Sequence, residues 1–325
     1  MNVLFCVGKS YFPIYRTMVD RMEKAGADVT CLLYNQAQNK ETIKKNISDA
    51  EIYITAVAPA DREVIDAAPR LKYILKTGTG LDNVDVGCAT ERGILVSNAH
   101  GENATSVAEL AIGLMIGLSR MIPQLDRKTK DGVWLPSRGY ECRGKTLGII
   151  GFGSIGMKIA GFAGAFDMKV IVFGNYKDHE AAGRLGASFV ELDQLLKEAD
   201  YIVISTALTK SNYHLIDERA IAKMKPSAFL INISRGAIID EQALFETLRQ
   251  KKIGGAALDV FENEPPEEKL PDLDNLIATP HIGGMTEESV DRVAEITVEN
   301  IRRFIDQESL RYVVNLKELK EMHKI

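Results

Sequence analysis

An α/β chain built from two parallel-sheet units is the fold that this sequence predicts, on three observations. Short apolar, β-rich runs alternate with helical-period stretches over most of its 325 residues. Five such runs come before a long interval without strands, and six come after it. The first run after the interval leads directly into a G-x-G-x-x-G turn and then a helix.

The first set of strand candidates covers residues 3–7, 27–33, 52–56, 73–77 and 95–97. The second covers 146–150, 169–173, 201–205, 229–233, 255–259 and 276–278. Helical stretches at 12–25, 61–68, 155–165, 192–198 and 241–250 separate them. Strand, helix, strand in this rhythm gives βαβ units and sheets covered on both faces. The interval holds a long helix at 106–118, extended towards 126, and an irregular region with Gly132, Trp134, Pro136 and Gly139. Two α/β units joined by a helix, with a cleft between them, follow from that arrangement. The last helix, 287–305, has no strand partner after it, so it is expected to return the chain and pack the tail, 310–325, on the first unit.

A chain of 35.9 kDa has room for two domains, and 46% apolar with 26% charged residues is a globular balance. Forty Lys and Arg against 45 Asp and Glu leave a net charge of −5, which offers nucleic acid no electrostatic foothold. The N-terminal residues read as a strand rather than a leader peptide. The most apolar stretch, 107–118, is too short to span a bilayer and contains Glu109, so the expectation is a cytoplasmic protein without a membrane partner. Cys6, Cys31, Cys88 and Cys142 are far apart, with no C-x-x-C pair and no His at ligand spacing, so no zinc or thiol-redox site is expected. Asn46, Asn103 and Asn232 begin Asn-x-Ser/Thr triplets that are chance matches in such a protein.

Gly151-Phe-Gly-Ser-Ile-Gly156 is the strongest local signal. Gly151 permits a tight turn, Gly153 lets backbone approach a pyrophosphate, and Gly156 lets helix and strand pack closely. Amides around Ser154 and Ile155 then face the phosphates with the helix dipole behind them. This is the fingerprint of a Rossmann dinucleotide-binding domain. An acid is expected at the tip of its second strand to bind the adenosine ribose. That strand instead ends at Phe173 and continues Gly174-Asn-Tyr-Lys-Asp178, where Asp178 comes too late.

Three later segments each place a reactive residue just past a strand. Arg235 precedes Gly236; the run at 255–259 ends on Asp259 and leads to Glu264; His281 lies between Pro280 and Ile282-Gly-Gly284. In an open parallel sheet, ligands bind beyond the carboxyl ends of the strands, where all three would lie. Arg is a bidentate partner for a carboxylate, and a Glu orients a His that donates a proton. Singly, each residue also reads as a surface Arg, a loop acid or a helix-entry His. Their joint position downstream of a nucleotide loop favours a site.

With these segments the chain resembles the D-isomer-specific 2-hydroxyacid dehydrogenases, the group of D-glycerate and 3-phosphoglycerate dehydrogenases and glyoxylate/hydroxypyruvate reductases. Lys76-Thr-Gly-Thr-Gly-Leu-Asp-Asn83, Ala89-Thr-Glu-Arg-Gly-Ile94, Asn103-Ala-Thr-Ser-Val-Ala-Glu109 and Arg143-Gly-Lys-Thr-Leu-Gly-Ile149 extend the likeness over nearly the whole chain. The resemblance implies a Rossmann-type domain at 100–285 inserted into a flavodoxin-like substrate domain made of 1–99 and 286–325. It implies an NAD(P)-dependent oxidoreductase that moves hydride between a nicotinamide cofactor and a D-2-hydroxy acid/2-keto acid pair.

By the same resemblance, Arg235, Glu264 and His281 form the catalytic trio. Gly78, Thr79 and Gly80 receive the substrate carboxylate together with Arg235, with Thr79 also near the nicotinamide. Gly151, Gly153, Ser154, Ile155 and Gly156 hold the pyrophosphate, with Gly174 and Asn175 at the adenosine end. Thr206, Ile233, Ser234, Arg235 and His281 line the cofactor. Asp259 binds the nicotinamide carboxamide, and Gly283 and Gly284 border its pocket. The family is typically dimeric through the cofactor domain, so a homodimer is implied in which the segment around Trp134 reaches the partner.

Two departures bear on the cofactor: Ser205 and Ala207 replace a frequent His and Pro, and Gly174 replaces the Asp of NAD-using members. Gly174, with Asn175 and Lys177 nearby, tilts the expectation to NADP over NAD. A nucleotide-sensing, corepressor-like protein on this fold and a phosphite dehydrogenase remain alternatives. Formate oxidation is disfavoured, because that activity goes with Gln in place of Glu264.

Overall fold

The computed structural model describes residues 1–324; Ile325, the end of the expected tail, lies outside the described residues. The chain divides into two units, residues 1–103 with the C-terminal stretch from Met285, and residues 104–284.

In the first unit, β1 Asn2–Cys6, β2 Asp28–Leu32, β3 Ile52–Thr55, β4 Tyr73–Lys76 and β5 Leu95–Ser97 form one parallel sheet in the order β2-β1-β3-β4-β5. This is the flavodoxin-like order. The inner strands β3 and β4 are buried along their whole length, whereas the edge strand β2 alternates between exposed and partly buried positions up to its buried last residue, Leu32. That difference follows from helices covering both faces of the middle strands. One layer packs β1, β3 and β4 against the helix Glu287–Ile305, through Phe5, Ile54, Leu75, Val293 and Ile301. The helix therefore belongs to the unit where the chain began.

After that helix the tail pairs with β5. Val314 donates its amide to Val96, and Val313 bridges antiparallel to Ser97. Asn315 is 1% exposed and makes three side-chain bonds: it accepts from Val96 N at 2.9 Å and donates to Thr90 Oγ1 and Ile94 O, each at 2.9 Å.

In the second unit, β6 Thr146–Ile150, β7 Lys169–Phe173, β8 Ala187–Phe189, β9 Tyr201–Ile204, β10 Phe229–Asn232, β11 Gly255–Leu258 and β12 Leu276–Ala278 form a seven-stranded parallel sheet, ordered β12-β11-β10-β9-β6-β7-β8. Counted from β6, this is the doubly wound Rossmann order with one added strand, reversing direction between β6 and β9. The edge strand β8 was not expected from the sequence. It has three residues and pairs with β7 alone, so it lacks the continuous apolar run that marks a buried strand.

The long helix is Ala104–Ser119, and ten of its residues are buried. Its expected extension towards 126 is corrected: Met121 adopts φ 52°, and a separate helix, Ile122–Lys130, starts at a 62° bend. Pro123 has no amide proton to continue the first helix but fits the first turn of the second. Among the described residues, no single helix is long and apolar enough to cross a membrane.

Asn315→Ala would leave the Val96 amide, the Thr90 hydroxyl and the Ile94 carbonyl without these partners. The expected cost is about 2–3 kcal/mol in urea denaturation of the first unit. A loss below about 0.5 kcal/mol would show that the tail is not held by this side chain.

Candidate active site

The switch point of the second sheet carries the glycine turn, and each glycine meets a different constraint. Gly151 has φ +99°, and a Cβ there would lie 2.6 Å from the Thr206 amide nitrogen. A Cβ on Gly156 would lie 2.2 Å from Gly151 O, so only hydrogen fits between turn and helix. At Gly153 a Cβ would meet nothing within 4 Å, which leaves the turn open on that side. Gly153 begins the twelve-residue helix Ser154–Ala165 without a side-chain cap. The first-turn amides of Ser154, Ile155 and Gly156 are then oriented for an external anion. An open face above Gly153 and uncapped amides beside it fit the pyrophosphate of a dinucleotide.

Ser205 follows β9 and donates to Gly151 O at 2.8 Å, tying the turn to the neighbouring strand end. Gly174 follows β7, and the nearest atom to a Cβ there would be Phe152 N at 3.8 Å, so a larger side chain has room. Asp178, the late acid, caps the next helix by accepting from Ala181 N at 2.9 Å. Asn175 and Lys177 are exposed, and Lys177 Nζ lies 3.5 Å from Glu191 Oε1.

The carboxyl ends of β10, β11 and β12 bring Arg235, Glu264 and His281 together within this unit. Glu264 Oε2 lies 2.6 Å from His281 Nδ1, and Glu264 Oε1 accepts from Phe261 N at 3.1 Å. Burial pushes the Glu264 carboxyl up, but the hydrogen bond and charge of His281, helped by the Phe261 amide and the Arg235 charge, outweigh it. The net shift is below the ordinary carboxylate value. An ionised Glu264 accepts from Nδ1–H, which leaves Nε2 as the nitrogen of His281 that can exchange a proton with a ligand.

His281 stands in a left-handed backbone conformation, φ 52°, uncommon outside glycine. Asp259, 1% exposed, holds it there. Its Oδ1 accepts from Thr279 Oγ1 at 2.7 Å and Ile282 N at 2.8 Å, and its Oδ2 accepts from Gly283 N at 2.8 Å. Asp259, expected only as a cofactor contact, thus also clasps the segment that carries His281.

Asn232 was overlooked as a site residue. It is fully buried, accepts from Ser234 N at 3.1 Å and donates to Arg235 O at 2.9 Å, which sets the direction of the chain at Arg235. Ser234 donates to Thr206 O, joining the ends of β9 and β10. Ile233 is buried beside it, donating to Ile204 O. The step from Arg235 to Gly236 had a signal in the sequence. A Cβ on Gly236 would lie 1.9 Å from Phe261 C, so the strand-end loops touch backbone to backbone.

In the first unit, the loop after β4 is bound down by its neighbours. Thr79 O accepts from Asn98 Nδ2 at 2.7 Å, and Thr79 Oγ1 donates to Asn103 Oδ1 at 3.1 Å. Of the three amides that the resemblance assigns to the substrate carboxylate, that of Gly78 turns back onto Lys76 O at 3.0 Å. The Thr79 and Gly80 amides have no internal acceptor among the described residues.

Comparison with known proteins agrees with this fold. Residues 112–283 match the NAD-binding domain model of the D-isomer specific 2-hydroxyacid dehydrogenases. A hydroxypyruvate reductase of Thermotoga maritima is 41% identical over 303 residues, covering 88% of this chain and 97% of its own. A D-3-phosphoglycerate dehydrogenase of Methanocaldococcus jannaschii is 42% identical over 282 residues, which is 85% of this chain but 54% of that protein. The chain therefore spans about half the length of that relative. Among solved structures, D-lactate dehydrogenase from Aquifex aeolicus, complexed with NAD and lactic acid, superposes with a TM-score of 0.82 at 27% identity, covering 99% and 98% of the two chains. An acyclic imino acid reductase in complex with NADPH and D-Arg gives 0.87 at 28% identity, covering 97% and 100%.

The fold and the glycine turn define a dinucleotide-binding protein. The chain belongs to the D-isomer specific 2-hydroxyacid dehydrogenase family.

The glycine geometry separates folding from cofactor binding. Gly153→Ala should stay within about 0.5 kcal/mol of the parent in stability, yet weaken NAD(P)H binding by about tenfold or more in a fluorescence titration. Gly156→Ala should instead destabilise the second unit. Equal effects of the two substitutions on stability would contradict this division.

Proposed function

We propose that this chain interconverts a 2-keto acid and its D-2-hydroxy acid, with His281 as acid and base, Glu264 as its orienting carboxylate, and Arg235 binding the substrate's carboxylate and carbonyl. The 2.6 Å His281–Glu264 pair, with the Arg235 charge bearing on the same carboxylate, carries this reading.

When bound, the nicotinamide supplies or accepts the hydride at the carbon bearing the substrate oxygen. In reduction, Arg235 draws electron density towards the carbonyl oxygen and grips the neighbouring carboxylate through its planar fork. His281 gives its Nε2 proton to the oxygen as negative charge builds there, a general-acid contribution of roughly 10²–10⁴-fold. Glu264 holds the ring through Nδ1 and stabilises the imidazolium before the proton leaves. In oxidation His281 takes the proton back. The left-handed backbone at His281, held by Asp259, keeps the ring pointed at Glu264 before any ligand arrives. Thr79 and Gly80 offer amides suited to a carboxylate, in keeping with the resemblance. Exposed apolar side chains at Val133, Trp134, Leu135 and Tyr140, with Trp134 85% exposed, support a homodimer formed through the second unit.

The substrate class is a small 2-keto acid, a reading supported by the name of the Thermotoga maritima relative. A panel of glyoxylate, hydroxypyruvate, pyruvate and longer or phosphorylated keto acids tests it directly. Absence of turnover with all of them would overturn the reading.

The Glu264 shift has a defined pH sign. Its folded-state pKa is lowered, so the stability from the His281–Glu264 pair is present above the ordinary value of 4.5 and is lost as pH falls through the lowered one. Both site substitutions are expected to be informative. His281→Asn should reduce turnover roughly 10²-fold or more with reduced-cofactor binding nearly intact. Glu264→Gln should move the alkaline limb of the reduction profile to lower pH, because the charge that favours imidazolium is gone. Near-parental turnover in the first variant, or an unmoved limb in the second, would refute the assigned roles.

For the cofactor, we propose a preference for NADPH with NADH also used. The reading is supported by the missing acid at the tip of β7, the space at Gly174, and Asp178 being held as a helix cap. Loss of a charged hydrogen bond to the ribose is worth about 1.5–3 kcal/mol, so NADH is expected to be weakened by roughly tenfold or more. Lys177 is a modest phosphate partner, because Glu191 draws on its charge. The ratio of kcat/KM for the two cofactors decides the matter, and a tenfold advantage for NADH would contradict the preference. Gly174→Asp should move the ratio towards NADH without loss of stability.

A further inference from the structure

Glu264 lies on an irregular turn, residues 261–264, beyond the end of β11. A side chain that must hold a proton donor in one orientation requires a fixed turn beneath it. Part of that support is local: Gly236 packs on the Phe261–Glu262 peptide, and Phe261 N donates to Glu264 Oε1. The remaining support comes from Glu262. Its amide donates to Glu241 Oε1 at 2.5 Å, and its Oε1 receives His214 Nε2–H at 2.8 Å and the Glu241 amide at 3.5 Å. His214 is itself fixed. Its backbone has φ 49°, its amide donates to Ala237 O at 2.9 Å, and its ring stacks on Tyr213 at 4.0 Å.

We propose that His214 is a positioning residue for Glu264, acting through Glu262. The charge arrangement around the turn explains why the turn needs it. Glu241, Glu262 and Glu264 gather three carboxylates around one turn. Burial raises the Glu241 carboxyl and the charges of Glu262 and Glu264 add to that, while the Glu262 amide and, to a smaller extent, His214 oppose it. Arg235 and His281 act on Glu264, whereas His214 is the ring donor on Glu262. Without that donor, Glu262 is repelled by the two other acids and its turn moves. Glu264 then moves relative to His281, although His214 touches neither of them.

This inference rests on the reading of Glu264 given above, and the test separates the two. The pH profile of keto-acid reduction, kcat, KM and thermal melting would be measured for the parent, E264Q, His214→Ala, His214→Gln and the H214A/E264Q double variant. His214→Ala is expected to lower kcat about five- to tenfold, to shift the alkaline limb in the same direction as E264Q, and to leave cofactor KM within about twofold. Gln at 214 keeps an N–H donor and should recover most of the loss. In the E264Q background, H214A should add nothing to the limb shift. If E264Q moves the limb and H214A does not, or if H214A lowers only the melting temperature, the proposal is overturned and the role of Glu264 stands. Full additivity in the double variant overturns it as well. If E264Q leaves the limb in place, the role of Glu264 fails and the proposal falls with it.

Discussion

A buried carboxylate with three internal donors, Asp259, is the interaction on which the His281 side of the site depends. An isolated charge at 1% exposure would cost several kcal/mol, and the donors from Thr279, Ile282 and Gly283 compensate for it. All three come from the segment around His281. The same bonds that make the charge tolerable therefore hold five consecutive residues in one path, including a left-handed histidine. Backbone strain at a functional position persists only where the surroundings over-determine it, and here the source of that constraint is identifiable.

The other strand ends are joined in a similar way, each to its neighbour. Ser205 reaches Gly151, Ser234 reaches Thr206, Asn232 holds both Ser234 and Arg235, and Gly236 packs on the peptide that leads to Glu264. A parallel sheet delivers all its carboxyl ends to one edge, so residues far apart in sequence become adjacent there. Small polar side chains and glycine suit that edge because each loop lies nearly on the backbone of the next. Arg235, Glu264 and His281 are thus held by short links between loops, and the regular elements supply the fixed points.

The inner strands were legible in the sequence because helices cover both their faces, which leaves nearly unbroken apolar runs such as Tyr201–Ile204. The trio was legible because each member follows such a run. Edge strand β8 and the break at Met121 were not. A three-residue edge strand needs only one partner, and a left-handed residue between two helices leaves the apolar pattern continuous. Asn232 was hidden for another reason: a buried amide that bonds to backbone has no distinctive spacing, and its role exists only once the turn after β10 has formed.

By itself, the sequence determined the two α/β units, the glycine turn of Gly151, Gly153 and Gly156, the missing acid at Gly174, and the chemical types of Arg235, Glu264 and His281. Those features depend on local periodicity, on glycine's lack of a side chain, or on residue identity, and all of these can be read one segment at a time. The tertiary structure alone decided that Gly78 turns its amide inward, that Asp259 clasps the histidine segment, and that His214 reaches the glutamate turn through Glu262. Each of these is a hydrogen bond set by how segments lie together in three dimensions, and polar partners separated along the chain leave no periodic trace in the sequence.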